Sequence, residues 1–196
     1  SGAAVGDSYA AQHYDLRALG LRSGPMLELG RFCIAPGHRD PDILRLAWGA
    51  ITALVDADGF EFLFGCSSFA GQEPSRYADA LGLLHGRHLA PARLAPRVRA
   101  PDVVTLRPRP GAPPPDPRRA LQQMPPLLRT YLAMGGWVSD HAVIDRDLGT
   151  LHVFTGLEIS AIPAARARAL RNVVTGREPA RDGSALASAR AAPADA

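Results

Sequence analysis

The chain has 196 residues, 46% of them hydrophobic and 21% charged, a globular composition with enough apolar material for a sizeable core. Its net charge of +3 rests on arginine alone, since lysine is absent from the sequence. That excludes a phosphate-loop lysine, a Schiff-base lysine and a lysine general base. No apolar run approaches the roughly 18 residues of a membrane helix. Residues 1–12 lack the basic start of a signal peptide, and Cys33 and Cys66 make neither a disulfide framework nor a zinc site by themselves. A soluble cytoplasmic protein is expected, and because the sequence does not start with Met the expectation is a processed chain or a fragment.

Residues 1–25 read as irregular, with a short helix at 14–19. Met26–Ile34 is apolar and bounded by Gly24-Pro25 and Pro36-Gly37, which predicts a buried strand. Asp40-Pro41-Asp42 starts a helix, with an acid at the N-cap, proline at the first helical position and a second acid in the first turn. Ile43, Ala47, Ala50, Ile51, Leu54 and Val55 give its apolar stripe, and Gly59 closes it. Phe60–Phe69 reads as the next strand. Pro74 opens a helix to about Leu89, with Tyr77, Leu81, Leu84 and His88 on one face. Strand, helix, strand, helix is the pattern of an α/β sheet.

A further strand is expected at 97–106, and the six prolines of 107–117 make a loop. A helix over 118–134 is interrupted at Pro125-Pro126 and stopped by Gly135-Gly136. Strands at 137–145 and 150–159, joined by Arg146–Gly149, read as a hairpin. An Arg/Ala helix follows Pro163, and from Gly176 the tail has too few apolar residues to pack. The expected organisation is a domain over 1–162, with 163–196 as a C-terminal helix and low-complexity tail.

Chemistry concentrates in a few places. Glu28 stands in an apolar strand, where a carboxylate is costly to bury unless paired or functional. Period two sends Glu28 and Arg31 to opposite faces, but a bulge at Gly30 would bring them together. The pair is then either a salt bridge pinning the sheet or a catalytic acid with its orienting partner. The turn Gly37-His38-Arg39 leads into a helix N-terminus, a ready anion site. Gly65-Cys66-Ser67-Ser68-Phe69 fails as a nucleophile elbow because position 69 is not glycine; Ser67 and Ser68 read as polar groups lining a site, and Cys33 and Cys66 as core thiols. His85 and His88 lack further ligands nearby, so no metal is expected. Nine arginines between 87 and 129 face only Asp102 and Asp116, a local charge of +7. That run is either a solvated face or a docking surface for something acidic; without interleaved aromatics it is not a nucleic-acid site.

Three blocks occur in order: Glu28-Leu29-Gly30-Arg31-Phe32-Cys33-Ile34-Ala35-Pro36, Leu63-Phe64-Gly65-Cys66-Ser67-Ser68-Phe69-Ala70-Gly71, and Met124-Pro125-Pro126-Leu127-Leu128-Arg129-Thr130-Tyr131-Leu132-Ala133-Met134-Gly135-Gly136. Over residues 8–160 the chain resembles the L-ornithine Nα-acyltransferases of ornithine-lipid synthesis, a hemolysin-like branch of the GNAT superfamily related to autoinducer synthases. The resemblance implies a GNAT-like mixed sheet flanked by helices. Because it begins near Ser8-Tyr9, the expectation is that N-terminal strands are missing and the 1–162 domain is incomplete at its front.

The resemblance also implies transfer of a 3-hydroxyacyl chain from acyl carrier protein to the α-amine of ornithine. Glu28 and Arg31 would be catalytic. Cys33, Ile34, Gly37, His38 and Arg39 would bind the acyl donor, and Cys66, Ser67 and Ser68 the acceptor. Arg93, Arg97, Arg99, Arg118 and Arg119 would meet the carrier protein. The donor's phosphopantetheine arm would serve in place of any cofactor, and the lipid product would bring peripheral membrane contact. Two alternatives stand beside this: a CoA-dependent GNAT acyltransferase acting on another amine, and a truncated, non-catalytic carrier-protein-binding module.

Overall fold

The computed structural model describes residues 2–30, 32–35, 37 and 40–175. The N-terminal stretch is not irregular. It forms a 3-10 turn at Gly2–Asp7, helix α1 (Ala10–His13), strand β1 (Tyr14–Asp15) and helix α2 (Arg17–Gly20). Val5, Ala10, Ala11, Tyr14, Leu16 and Leu19 are buried, yet they follow neither a two- nor a 3.6-residue period, so the pattern of the sequence did not reveal them. Strand β2 (Met26–Leu29) stops well short of Ile34 and is half-buried rather than buried. Phe32 and Ile34 beyond it are 37% and 39% exposed.

Helix α3 (Pro41–Asp58) begins as its cap requires: the Asp40 side chain accepts from the Asp42 N–H at 2.8 Å. It ends at Gly59, whose φ of 66° is the left-handed cap conformation that glycine adopts without strain. The inward face is Leu44, Trp48, Ile51 and Val55, at i, i+4, i+7 and i+11; Leu54 of the expected stripe is 45% exposed. Strand β3 (Phe62–Ala70) follows, then a 3-10 turn at Pro74–Tyr77 and helix α4 (Ala78–Arg87). The strand expected at 97–106 is two: β4 (Arg97–Val98) and β5 (Val103–Thr105), parted at Ala100-Pro101. Helix α5 (Pro117–Gln123) is capped by the Asp116 side chain, which accepts from the Arg118 and Arg119 N–H groups. Helix α6 (Pro126–Ala133), strands β6 (Trp137–Asp145) and β7 (Thr150–Glu158), and helix α7 (Ala164–Thr175) complete the chain. The expected tail from Gly176 lies outside the described residues. No described helix is long and apolar enough to cross a membrane.

One five-stranded mixed sheet organises these elements, in the order β2-β3-β7-β6-β5, with helices on it as expected. β2 and β3 are parallel; the other neighbours are antiparallel. β1 and β4 form a separate antiparallel pair. Alternation along the strands divides the core between two faces. On one face Leu63, Phe69, Leu151, Val153 and Leu157 pack under α3 to α7. On the other, Phe62, Phe64, Trp137, Val143 and Phe154 pack under the N-terminal stretch, with Tyr14 and Leu19. A bulge in β6 between Val138 and Ala142 breaks the ladder. The Ser139 hydroxyl repairs it, accepting from the Phe154 N–H at 3.1 Å and donating to the His141 carbonyl at 2.6 Å.

Candidate active site

β2 and β3 run side by side only as far as Leu29 and Gly65. A Cβ at Gly65 would lie 2.4 Å from the Leu29 carbonyl oxygen, so glycine permits this close approach. Beyond it the strands part, and β3 continues to Ala70 with its sheet partner on the β7 side alone among the described residues. The parting opens a cleft of about 310 Å³. Gly30, Phe32, Cys33 and Ile34 form one wall and Cys66, Ser67 and Ser68 the other. Leu44 and the Pro125-Pro126-Leu127 turn add apolar surface, while Tyr9 and His152 mark a polar end. An unpaired strand edge beside apolar walls suits an extended, amide-bearing chain that ends in an alkyl group.

The sequence-predicted residues fall as follows. Cys33 and Ile34 line the cleft with Cys66, Ser67 and Ser68, so proposed donor and acceptor residues share one cavity. Cys33 is exposed, not a core thiol, because β2 ends before it. Cys66 is partly buried; burial, followed by the charges of Glu28 and Asp145, pushes its thiol above the ordinary range. Ser67 is buried and accepts from Thr155 Oγ1 at 2.9 Å, while Ser68 is exposed opposite His152 in the β3–β7 register.

Glu28 lies on the sheet face that carries the N-terminal stretch, and both its oxygens are engaged. Oε1 accepts from the Ala10 N–H at 2.7 Å and Oε2 from the Tyr9 N–H at 3.0 Å. The carboxylate therefore anchors the start of α1 against β2. The proposed bulge at Gly30 is not formed within β2, which has already ended, and a Cβ at Gly30 would meet open space. Arg31, His38 and Arg39 lie outside the described residues. Gly37 is exposed in the turn before α3, with φ of 90°.

The arginine run is divided between elements on two sides of the sheet. Arg93, Arg97 and Arg99 flank Leu94 and Ala100 on the face of the N-terminal stretch, whereas Arg118 and Arg119 ride on α5, across the sheet with α4. Two are also ion-paired: Arg93 with Glu158 at 3.4 Å and Arg119 with Asp79 at 3.1 Å.

A second polar group left little trace in the sequence. His13 at the end of α1, Asp145 at the end of β6 and His152 in β7 bring one ligating atom each within 4.8 Å of the others. His152 and Asp145 are buried, and Tyr9 OH reaches Asp145 Oδ2 at 3.4 Å. Burial, with His13 nearby, pushes His152 down to about 4 despite the opposing Asp145. Burial alone would raise Asp145, but hydrogen bonds from the Leu148 and Asp147 N–H groups outweigh it and hold the carboxyl below its usual range. The one signal available was His152 itself, a titratable ring in the apolar run Leu151–Phe154.

The sequence profile of the acetyltransferase (GNAT) domain matches residues 1–49. The L-ornithine N(alpha)-acyltransferase of Rhodobacter capsulatus is 36% identical over 160 residues, which cover 82% of this chain and 61% of that protein. The protein of the same name from Brucella abortus is 36% identical over 162 residues, 79% of this chain and 55% of its own length. That of Rhizobium meliloti is 34% identical over 143 residues, with 69% and 46% covered. The chain thus spans about half the length of the curated relatives it matches. No solved structure matches it significantly.

Proposed function

We propose, for a chain that is a homologue of the L-ornithine N(alpha)-acyltransferases, that it catalyses N-acylation of the ornithine α-amine by a 3-hydroxyacyl thioester on acyl carrier protein. The observation that carries this reading is the cleft between the parted ends of β2 and β3. Its two walls are built from the first two of the three sequence blocks that resemble the family. The amine nitrogen attacks the thioester carbonyl carbon, the C–S bond breaks, the carrier's thiol leaves, and the amine gives up a proton. No electron changes hands. The unpaired edge of β3 offers backbone groups to the donor's amide-bearing arm, and Phe32, Ile34 and Leu127 cover its alkyl chain.

Glu28 takes the amine proton through a bridging water, since each carboxylate oxygen keeps a lone pair beyond its bond to an N–H of α1. Arg31 follows three residues later in the same block as its proposed partner. A second reading, a CoA thioester as donor, is favoured by one observation. The five arginines assigned to the carrier neighbour core residues on two different faces of the sheet, Leu94 and Ala100 on one and Ala120 on the other, rather than one continuous patch of the sequence run.

The test incubates the complete gene product with ornithine and either 3-hydroxyacyl carrier protein or the matching acyl-CoA, with products read by mass spectrometry. An Nα-acyl-ornithine formed faster from the carrier is expected. Equal or faster transfer from CoA overturns the donor assignment, and no acylated ornithine from either donor overturns the reaction.

A further inference from the structure

We propose that His13, Asp145 and His152 form a binding site for one divalent first-row transition-metal cation of the zinc class, at the polar end of the cleft. Three elements far apart in the sequence deliver these groups to one point: α1, the end of β6 and the middle of β7. Their ligating atoms all lie within 4.8 Å of one another, and no hydrogen bond joins any two of the three. None of these contacts is the direct bond of about 2.6–3.2 Å that a directly hydrogen-bonded relay shows. The His13 and His152 rings meet edge-on, with centroids 4.9 Å apart, and three ligating atoms this close are what a central cation draws together, with final metal–ligand distances near 2.0–2.2 Å.

Two of the three groups are oriented by other bonds that leave a lone pair on each. The Tyr14 hydroxyl has one proton and donates it to the His152 carbonyl oxygen at 2.8 Å. Nδ1 of His152, 3.2 Å from the same hydroxyl, must therefore be the protonated ring nitrogen and donate to it. Nε2 is left as an unprotonated acceptor, buried and without a partner, on a residue only 1% exposed. An orphaned ring nitrogen in the interior is costly to leave unmade. Orientation of a metal-binding imidazole through its other N–H is the usual outer arrangement of such sites. Asp145 is fixed in the same manner: its Oδ1 accepts from the Asp147 and Leu148 N–H groups at 3.0 and 2.9 Å. Its Oδ2 meets Tyr9 OH at a weak 3.4 Å. Two imidazoles and one carboxylate select zinc, cobalt or ferrous iron over calcium and magnesium, which take oxygen ligands.

The experiment uses the full chain after dialysis against a chelator, titrated with Co²⁺ and followed by visible d–d absorption, and separately with Zn²⁺ by calorimetry. One equivalent is expected to bind. H13Q, D145N and H152Q should each weaken binding more than tenfold, and Y14F, which removes the group that orients His152, by about 10–100-fold. H85Q, on α4 and away from the cluster, should bind as wild type. If H152Q fails to fold, H13Q and D145N carry the test, with circular dichroism as the check on folding. Absence of a stoichiometric site in wild type overturns the proposal. So does uptake that is undiminished in H13Q and D145N.

Discussion

Every residue of β7 from Leu151 to Leu157 is buried, whereas all four residues of β2 are half-buried. Both strands border β3, so the difference lies in what covers them. β7 is central and carries packed side chains on both faces, among them Val153 on one and Phe154 on the other. Phe154 alone meets Phe64, Trp137 and Tyr14 at ring-centroid distances of 5.6–6.0 Å. β2 is an edge strand that ends where Gly30 begins, and the chain beyond it lines a cavity instead of a core. One side of β3 supplies rigidity and the other supplies room for a ligand.

The largest effect that separates the two regions is on stability. Phe154→Ala should cost about 3–5 kcal/mol, as expected for a fully buried aromatic, while Phe32→Ala, at 37% exposure, should change stability by no more than about 0.5 kcal/mol. Phe32→Ala should instead raise the apparent KM for the acyl donor. Chemical denaturation and initial rates on the same two variants check both halves. Equal stability losses would break the comparison.

Glu28→Gln comes next, because Glu28 ties β2 to α1 and is also the proposed proton acceptor. The amide replaces one of two carboxylate acceptors, so either the Tyr9 or the Ala10 N–H loses its partner, at about 1–3 kcal/mol. A proton-accepting role adds a fall of about 10²–10⁴ in kcat at a temperature where the variant is fully folded. A folded variant with wild-type kcat would leave Glu28 as an anchor only.

The two arginine groups give a sharper comparison of faces. Charge reversal of Arg93, Arg97 and Arg99 should raise the KM for acyl carrier protein, in a salt-dependent way. Reversal of Arg118 and Arg119, on the far side of the sheet, should leave it within about twofold, a difference of roughly 0.4 kcal/mol. If both sets raise it equally, the carrier does not dock on one face.

The smallest effect concerns α7. Two hydrogen bonds from Arg171, opposed by slight burial, lower the Asp56 carboxyl. A depressed folded-state value means the pair stabilises above the unfolded carboxylate range, near pH 4, and loses that contribution as pH falls below it. Both side chains are largely exposed, so the contribution is about 0.2–1 kcal/mol. Asp56→Asn should lower melting temperature slightly at pH 7 and not at pH 2.

These comparisons also show what was legible beforehand. The limits of α3 stood in Asp40-Pro41 and Gly59, and those of the β6–β7 hairpin in the Gly149 turn, because caps and turns are local chemistry. The early end of β2 was not legible: Met26–Ile34 is one apolar run, and where it leaves the sheet depends on what packs beside it. The N-terminal stretch buries Val5, Ala10, Ala11, Tyr14, Leu16 and Leu19 without a period. The residues of the cleft walls carried their own signal in the Glu28–Pro36 and Leu63–Gly71 blocks. His13, Asp145 and His152 carried almost none, since only the pairing of β6 with β7 and the docking of α1 bring them together. How the arginine run is arranged in space was not legible for the same reason: its neighbours in sequence sit beside core residues on two faces of the sheet.

The central claim is that the acyl donor lies between the parted ends of β2 and β3, and Cys33 reports on it directly. The thiol is exposed and lines the cleft, whereas Cys66 is partly buried with its thiol shifted upward, so an alkylating reagent at neutral pH should modify Cys33 first. Saturating acyl-phosphopantetheine is expected to protect Cys33, and prior alkylation of Cys33 to abolish transfer, with Cys33→Ser retaining activity and losing the sensitivity. Unchanged labelling in the presence of donor, together with full transfer by the Cys33-alkylated enzyme, would contradict the account.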